Sequence, residues 1–265
     1  MSGPILLTGG TGTLGRLMLP LLREAGCKVR VLSRSSHEGA DGVEFVTGDL
    51  EKGTGLDAAL TGIEVVVHCA GTQKGDEVKA KNLVEAAKAA GGVKHIVYIS
   101  VVGADRVPVV SGVDRAMFGY FASKLAGEEI IAKSGIPWTT LRATQFHELT
   151  LTTAKAMAKM PVLPVPGKVK FQPVDGGEVA ARMVELALGR PAGLVPDLGG
   201  PKTYEFKDLV RSYLKAAGKR RMIMSMRLPG KAAKAFREGA NLAPDRAVGK
   251  RTWEEFLAAE VPAKQ

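Results

Sequence analysis

Cysteine is nearly absent from this 265-residue chain, with only Cys27 and Cys69. Two cysteines with no metal-type spacing exclude a disulfide framework and a thiolate metal site. The four histidines, His37, His68, His95 and His147, are scattered and suggest no metal cluster. Aromatic residues make up only 5% of the chain, few for a surface that stacks bases. No apolar run approaches the roughly 18 residues of a membrane span, so no membrane partner is expected. The N-terminus enters an apolar strand pattern at once, so no leader is read and a cytoplasmic location is expected. What remains is globular: 45% hydrophobic and 24% charged, enough for one α/β domain with a smaller appendage. The formal net charge is +10. Much of the excess lies between Lys215 and Lys250, including Lys219-Arg220-Arg221. Without interleaved aromatics it reads as a solvated basic face rather than a nucleic-acid site.

The most informative stretch is Thr8-Gly9-Gly10-Thr11-Gly12-Thr13-Leu14-Gly15. It follows the apolar run Pro4 to Leu7 and opens a helical pattern at Leu14, Leu17, Met18, Leu21 and Leu22. Strand, glycine turn and helix in that order form the context of a dinucleotide-binding fingerprint. One glycine turns the chain sharply off the strand. One lets the backbone approach a pyrophosphate, and Gly15 lets the helix pack close to the sheet. The helix N-terminus then offers free N–H groups and a positive dipole end to the phosphates.

A second strand, 28–32, runs into Ser33-Arg34-Ser35. NAD sites usually place a carboxylate near here for the ribose 2′-OH. A guanidinium instead pairs with a 2′-phosphate, so NADP (as NADPH) is favoured and NAD disfavoured. Arg16 is a second candidate for the same phosphate. A third strand, 43–46, ends at Gly48-Asp49-Leu50, where Asp49 reads either as an adenine contact or as a turn cap. A fourth, 64–68, leads into Cys69-Ala70-Gly71, small enough for backbone to lie along a cofactor. A helix over 76–90 and a fifth strand over 94–100 complete the alternation, which predicts a doubly wound parallel Rossmann sheet. The glycine turn, Arg34, Asp49, Gly71 and Ser100 would share its carboxyl edge.

Tyr120 and Lys124 lie four residues apart on a helical pattern and so share a face. An ammonium near a phenol favours the phenolate, and such a pair could exchange a proton with a carbonyl oxygen. Lys124 could also hold a ribose.

These motifs resemble the short-chain dehydrogenase/reductase superfamily in its atypical, NmrA-like NAD(P)H-binding branch. The resemblance also rests on Tyr98-Ile99-Ser100, on Trp138 to Phe146, on Gln172-Pro173-Val174-Asp175 and on Arg251 to Leu257. It implies a catalytic set of serine, Tyr120 and Lys124, with the serine at Ser100 or missing if Val101 occupies that position. Ser111 would replace it only if its loop folds back. It also implies a substrate pocket lined by Gln145, Phe146 and His147. The expected activity is NADPH-dependent hydride transfer to a small carbonyl, quinone or conjugated acceptor. A non-catalytic NADP(H) redox sensor and a nucleotide-sugar epimerase or dehydratase are the alternatives. No metal is expected, and the chain is expected to be a monomer or homodimer.

The second half reads as a sixth strand at 136–142 and a Met- and Ala-rich helix at 150–160. A proline-broken stretch through Pro161, Pro164 and Pro166 follows. Then come a helix at 176–188, a last strand near 194–198, and helices from Tyr204 onward around a short apolar run, 222–226. The expected organisation is a Rossmann domain over 1–150, rejoined by 168–200. A small, mostly helical lobe over 151–167 and 201–265 would cover the nicotinamide end.

Overall fold

The computed structural model describes residues 3–39, 42–72 and 74–261. Its central feature is a seven-stranded parallel sheet of order β3-β2-β1-β4-β5-β6-β9. The strands are β1 (Ile5–Thr8), β2 (Val29–Ser33), β3 (Val43–Thr47), β4 (Val65–His68), β5 (His95–Val101), β6 (Trp138–Ala143) and β9 (Gly193–Leu194). All four residues of β1 and all four of β4 are buried, as expected of strands covered by helices on both faces. The covering helices are α1 (Thr13–Glu24), α2 (Leu56–Leu60), α3 (Asp76–Ala90), α4 (Gly112–Ala132) and α6 (Gly176–Leu188). The doubly wound Rossmann architecture read from the sequence is the one observed.

Contacts divide the chain into two units. The first comprises Met1–Ser100, Ala122–Arg142 and Gly177–Pro196. Its core joins Leu6, Leu32, Leu60, Val66, Leu83 and Ile96 with Tyr98 and Ile131. A buried bidentate pair ties β6 to α4: Arg142 Nε donates to Glu128 Oε1 at 2.9 Å and Nη2 to Oε2 at 2.7 Å. Removing one partner of such a pair strands a buried charge, at a cost of about 3–5 kcal/mol.

The second unit comprises Val101–Phe121, Ala143–Gly176 and Asp197–Gln265. It takes 101–121, 143–150, 168–176 and 197–200, which the sequence reading assigned to the Rossmann domain. It contains α5 (His147–Met157), β7 (Val162–Pro166), β8 (Lys170–Phe171), β10 (Tyr204–Glu205), α7 (Phe206–Ala216), β11 (Met222–Met226), α8 (Lys231–Arg237) and α9 (Trp253–Glu260). One of its cores joins Leu151, Leu163, Val165, Leu209, Tyr213 and Trp253. A second gathers Phe118, Val169, Ala232 and Phe236.

The stretch with Pro164 and Pro166 is a strand, where the sequence suggested only a broken chain. β7 pairs parallel with β11, Pro164 opposite Met224 and Pro166 opposite Met226. Proline lacks the N–H of a ladder bond, so it enters a strand where that N–H would face away from the partner. Two prolines two residues apart meet that condition together. Helix α5 begins at His147, three residues earlier than its apolar pattern suggested. No helix among the described residues is long and apolar enough to cross a membrane.

Candidate functional site

The strand order reverses about β1. The chain runs outward through β2 and β3, then returns to place β4 on the other side of β1. That switch point is where open α/β sheets bind ligands, and the glycine turn leaves β1 directly into it. Gly9 has φ +72°, a left-handed conformation, and a Cβ there would approach Ala70 N within 2.7 Å. At Gly10 a Cβ would meet Val31 Cγ1 at 2.7 Å, and at Gly15 it would overlap the Gly9 carbonyl. These three glycines are demanded by the fold. Gly12 differs, since its Cβ would meet only Gly9 O, at 3.2 Å. It is also the N-cap of α1, with no side-chain cap and no acid in the first turn. Thr11, Gly12 and Thr13 are exposed. The positive end of α1 is therefore left to an outside anion, and the residues present fit a dinucleotide pyrophosphate.

At the end of β2, Ser33 is buried and its Oγ accepts from Ser35 N at 3.2 Å, with His37 Nε2 at 3.0 Å. That local turn sends Arg34 outward, exposed and without an ion-pair partner among the described residues. Asp49 uses Oδ1 to accept from Glu51 N at 2.8 Å, the turn-cap alternative. Leu50 is buried in the core of the first unit, and Leu14 is buried too. Neither side chain is placed to meet a cofactor.

At the end of β4 the sequence found less than the structure holds. Thr8 Oγ1 lies 2.7 Å from His68 Nδ1 and accepts from Ala70 N at 3.4 Å. His68 Nε2 has no hydrogen-bond partner among the described residues. The ring is fully buried and stacked 5.3 Å from Tyr98. Burial, aided by the Lys124 charge, lowers its pKa to about 3, so it stays neutral. Cys69 packs its thiol 3.7 Å from Met18 Sδ, and burial raises its pKa to about 12, which makes it a poor nucleophile.

Lys124 is buried with its Nζ 3.0 Å from Asp76 Oδ2 and donating to Ile99 O at 3.1 Å. The ammonium also stands 4.9 Å from the Tyr98 ring centroid. A Cβ on Gly71 would stand 3.0 Å from it and 3.2 Å from Asp76 Oδ2, so a larger residue would crowd this pair. Asp76, fully buried at the start of α3, also accepts from Thr72 N at 2.9 Å and lies 3.6 Å from Lys79 Nζ. Sequence reasoning missed Asp76 because a carboxylate at a helix start ordinarily caps the helix in solvent.

Ser100 is buried near the end of β5, and its Oγ has no hydrogen-bond partner among the described residues. A buried, unsatisfied hydroxyl at a sheet's carboxyl edge is costly unless a ligand meets it. Ser111 is not a substitute, because it forms a cap with Asp114. Its Oγ donates to Asp114 Oδ2 at 2.8 Å, and Asp114 N donates back to Oγ at 3.0 Å. Tyr120 is half-buried on α4, one turn before Lys124, with its ring edge-on to Phe121 at 5.7 Å.

In the second unit Gln145 and Phe146 are half-buried just after β6. His147, expected beside them in a pocket, is instead core. It is fully buried, 4.9 Å from the Phe256 ring, and its Nε2–H donates to Arg251 O at 3.0 Å.

Comparison with known proteins agrees with this geometry. A family described as NAD(P)H-binding matches residues 9–188. The chain is 31% identical over 191 residues to the (4-alkanoyl-5-oxo-2,5-dihydrofuran-3-yl)methyl phosphate reductase of Streptomyces griseus subsp. griseus, covering 70% of this chain and 63% of that relative. It thus spans less than two thirds of that relative's length. It is 28% identical over 226 residues to quinone oxidoreductase 2 of Escherichia coli, covering 81% and 75%. The crystal structure of the Escherichia coli NADPH-dependent quinone oxidoreductase with NADPH matches with a TM-score of 0.79 at 22% identity, over 97% of this chain and 99% of that one. With a family match over more than half its length, on the glycine turn and sheet that carry the candidate site, the chain belongs to the NAD(P)H-binding family.

Proposed function

We propose that this chain is an NADPH-dependent oxidoreductase that reduces a small conjugated acceptor, with a quinone as the reference case. The observation that carries the reading is the open N-terminus of α1 at the sheet's switch point, with Arg34 exposed on the same edge and without an ion-pair partner among the described residues. Thr11, Gly12 and Thr13 would receive the pyrophosphate, and Arg34 the 2′-phosphate. The backbone of Cys69, Ala70 and Gly71 would lie along the cofactor. The reduced nicotinamide supplies a hydride when bound. The relatives named above are a (4-alkanoyl-5-oxo-2,5-dihydrofuran-3-yl)methyl phosphate reductase and a quinone oxidoreductase, which supports a reductase. Tyr120 is the proposed proton donor to the acceptor oxygen, with Ser100 Oγ donating a hydrogen bond to it. Gln145 and Phe146 are the proposed acceptor contacts.

One observation favours a second mechanism. The Lys124 ammonium already faces Asp76 and the Ile99 carbonyl. If it does not turn toward Tyr120, water supplies the proton after direct hydride transfer, and a quinone needs no stronger acid.

The test is NADPH oxidation against quinones, aldehydes and conjugated ketones. Tyr120→Phe should leave NADPH affinity nearly unchanged and lower turnover about 10²-fold, the scale of general acid catalysis. Turnover unaffected by Tyr120→Phe selects direct transfer. No turnover with any acceptor, with NADPH still bound, removes the oxidoreductase reading and favours a cofactor sensor.

A further inference from the structure

The β7–β11 sheet of the second unit has one face toward the core and the other in solvent, and the solvent face is apolar. Leu163 and Val165 on β7 are 0% exposed, and Ile223 on β11 packs against the same core. The alternate residues point the other way. Register places Val162 beside Met222, Pro164 beside Met224 and Pro166 beside Met226. Met222, Met224, Met226 and Val162 are 69%, 50%, 41% and 37% exposed, and both prolines are half-buried. Antiparallel or parallel, a surface sheet ordinarily turns polar side chains outward. Here six neighbouring positions carry no polar atom on their side chains. A contiguous apolar patch rimmed by charge marks an interaction site.

The rim is cationic. Lys219, Arg220 and Arg221 precede Met222, and Arg227 follows Met226, all exposed. From Leu209 to Arg237 there are nine Lys and Arg and no Asp or Glu, so this stretch alone accounts for +9 of the chain's net +10. At the Met222 end the face meets a depression of about 550 Å³ lined by Lys159, Pro161, Arg220, Arg221 and Met222. Arg221 is fixed there by donating to Ala158 O at 3.2 Å and Arg220 O at 2.8 Å.

We propose that this face docks on an anionic lipid bilayer surface. The charge rejects a second copy, because a two-fold contact would set the same cations against each other. A protein partner is recognised through central aromatic or arginine anchors, and this face has neither at its centre. Strand addition on the β7 edge is blocked where Pro164 and Pro166 remove the donors. A bilayer needs only apolar area with flanking cations, and each cation near an anionic surface contributes roughly 1 kcal/mol. Surface contact requires no spanning helix. It modifies the sequence expectation of no membrane partner, and it does not depend on the proposed catalytic function.

The experiment is flotation of the purified full chain with vesicles of phosphatidylcholine alone and of phosphatidylcholine mixed with phosphatidylglycerol. Binding should appear with the anionic vesicles and fall as salt rises. The double variant Met222→Glu with Met224→Glu should bind about 10-fold more weakly or worse, while Met224→Leu should bind as the wild type does. Both sites are exposed, and an unchanged melting temperature and NADPH affinity would show that the fold is retained. No binding at low salt overturns the proposal. Binding abolished by Arg220→Glu but untouched by the methionine variant reduces it to charge adsorption and also overturns it. A dimer that the methionine variant dissolves, without vesicle binding, assigns the face to a second copy instead.

Discussion

Arg34 is the residue proposed to select between two cofactors that differ by one phosphate. Its guanidinium leaves the end of β2 exposed, without a carboxylate partner among the described residues. Arg34→Glu should weaken NADPH binding at least 10-fold and NADH binding much less, because the new carboxylate repels only the 2′-phosphate. Fluorescence titration of both cofactors checks this, and equal losses would show that Arg34 does not read the phosphate. His68 offers a second test on a different quantity. Its pKa is lowered from 6.5 to about 3 in the folded chain, first by burial and then by Lys124. Below pH 6.5 the unfolded chain binds a proton at this position that the folded chain refuses. This group therefore costs no stability above pH 6.5. It removes up to about 1.4 kcal/mol per pH unit as pH falls from there toward 3. Urea titrations at pH 7 and pH 4.5 should show a smaller loss for His68→Asn than for the wild type. An identical loss would place the folded pKa near its ordinary value.

At the scale of elements, the C-terminal helix has a disproportionate part in the second unit. Thr252 and Glu255 form a reciprocal capping box at the start of α9. The helix then delivers Trp253, fully buried, with its Nε1–H donating to Leu209 O at 3.2 Å and its ring 5.7 Å from Phe256. Trp253→Ala should cost about 3–5 kcal/mol by opening a cavity, and Trp253→Phe clearly less. Chemical denaturation monitors both, and a loss below 1 kcal/mol for the alanine variant would mean that the site collapses around the gap. Elements of this kind were legible to different degrees. The sequence marked β1, the glycine turn and α3 because their signals are local: an apolar run, fixed glycine spacing, a 3.6-residue period. β7 and β11 were not legible as strands, because their pairing lies about 60 residues apart in sequence and proline argues against strand on its own. His147 was misplaced for a related reason. Nothing within its own segment announces that Phe256 and Trp253 fold over it.

For the molecule as a whole, the site divides along the same line. The cofactor half is built from backbone geometry, and glycine spacing reports backbone geometry directly. The side-chain contacts around Lys124 depend on separate segments. Asp76, which holds Lys124, and the unsatisfied hydroxyl of Ser100 became visible only once α3, α4 and β5 were brought together. The lopsided charge was equally plain in the sequence, but its apolar centre needed the β7–β11 register to appear. The division into units carries a further consequence. The chain passes between them after Ser100, Phe121, Arg142, Gly176 and Pro196, so each unit is stitched from three separate pieces. No single genetic crossover can therefore exchange one unit for that of a relative. Inheritance of new acceptor preference in such a lineage would proceed by substitution at scattered codons and not by shuffling of modules. A laboratory chimera would have to respect all five junctions at once.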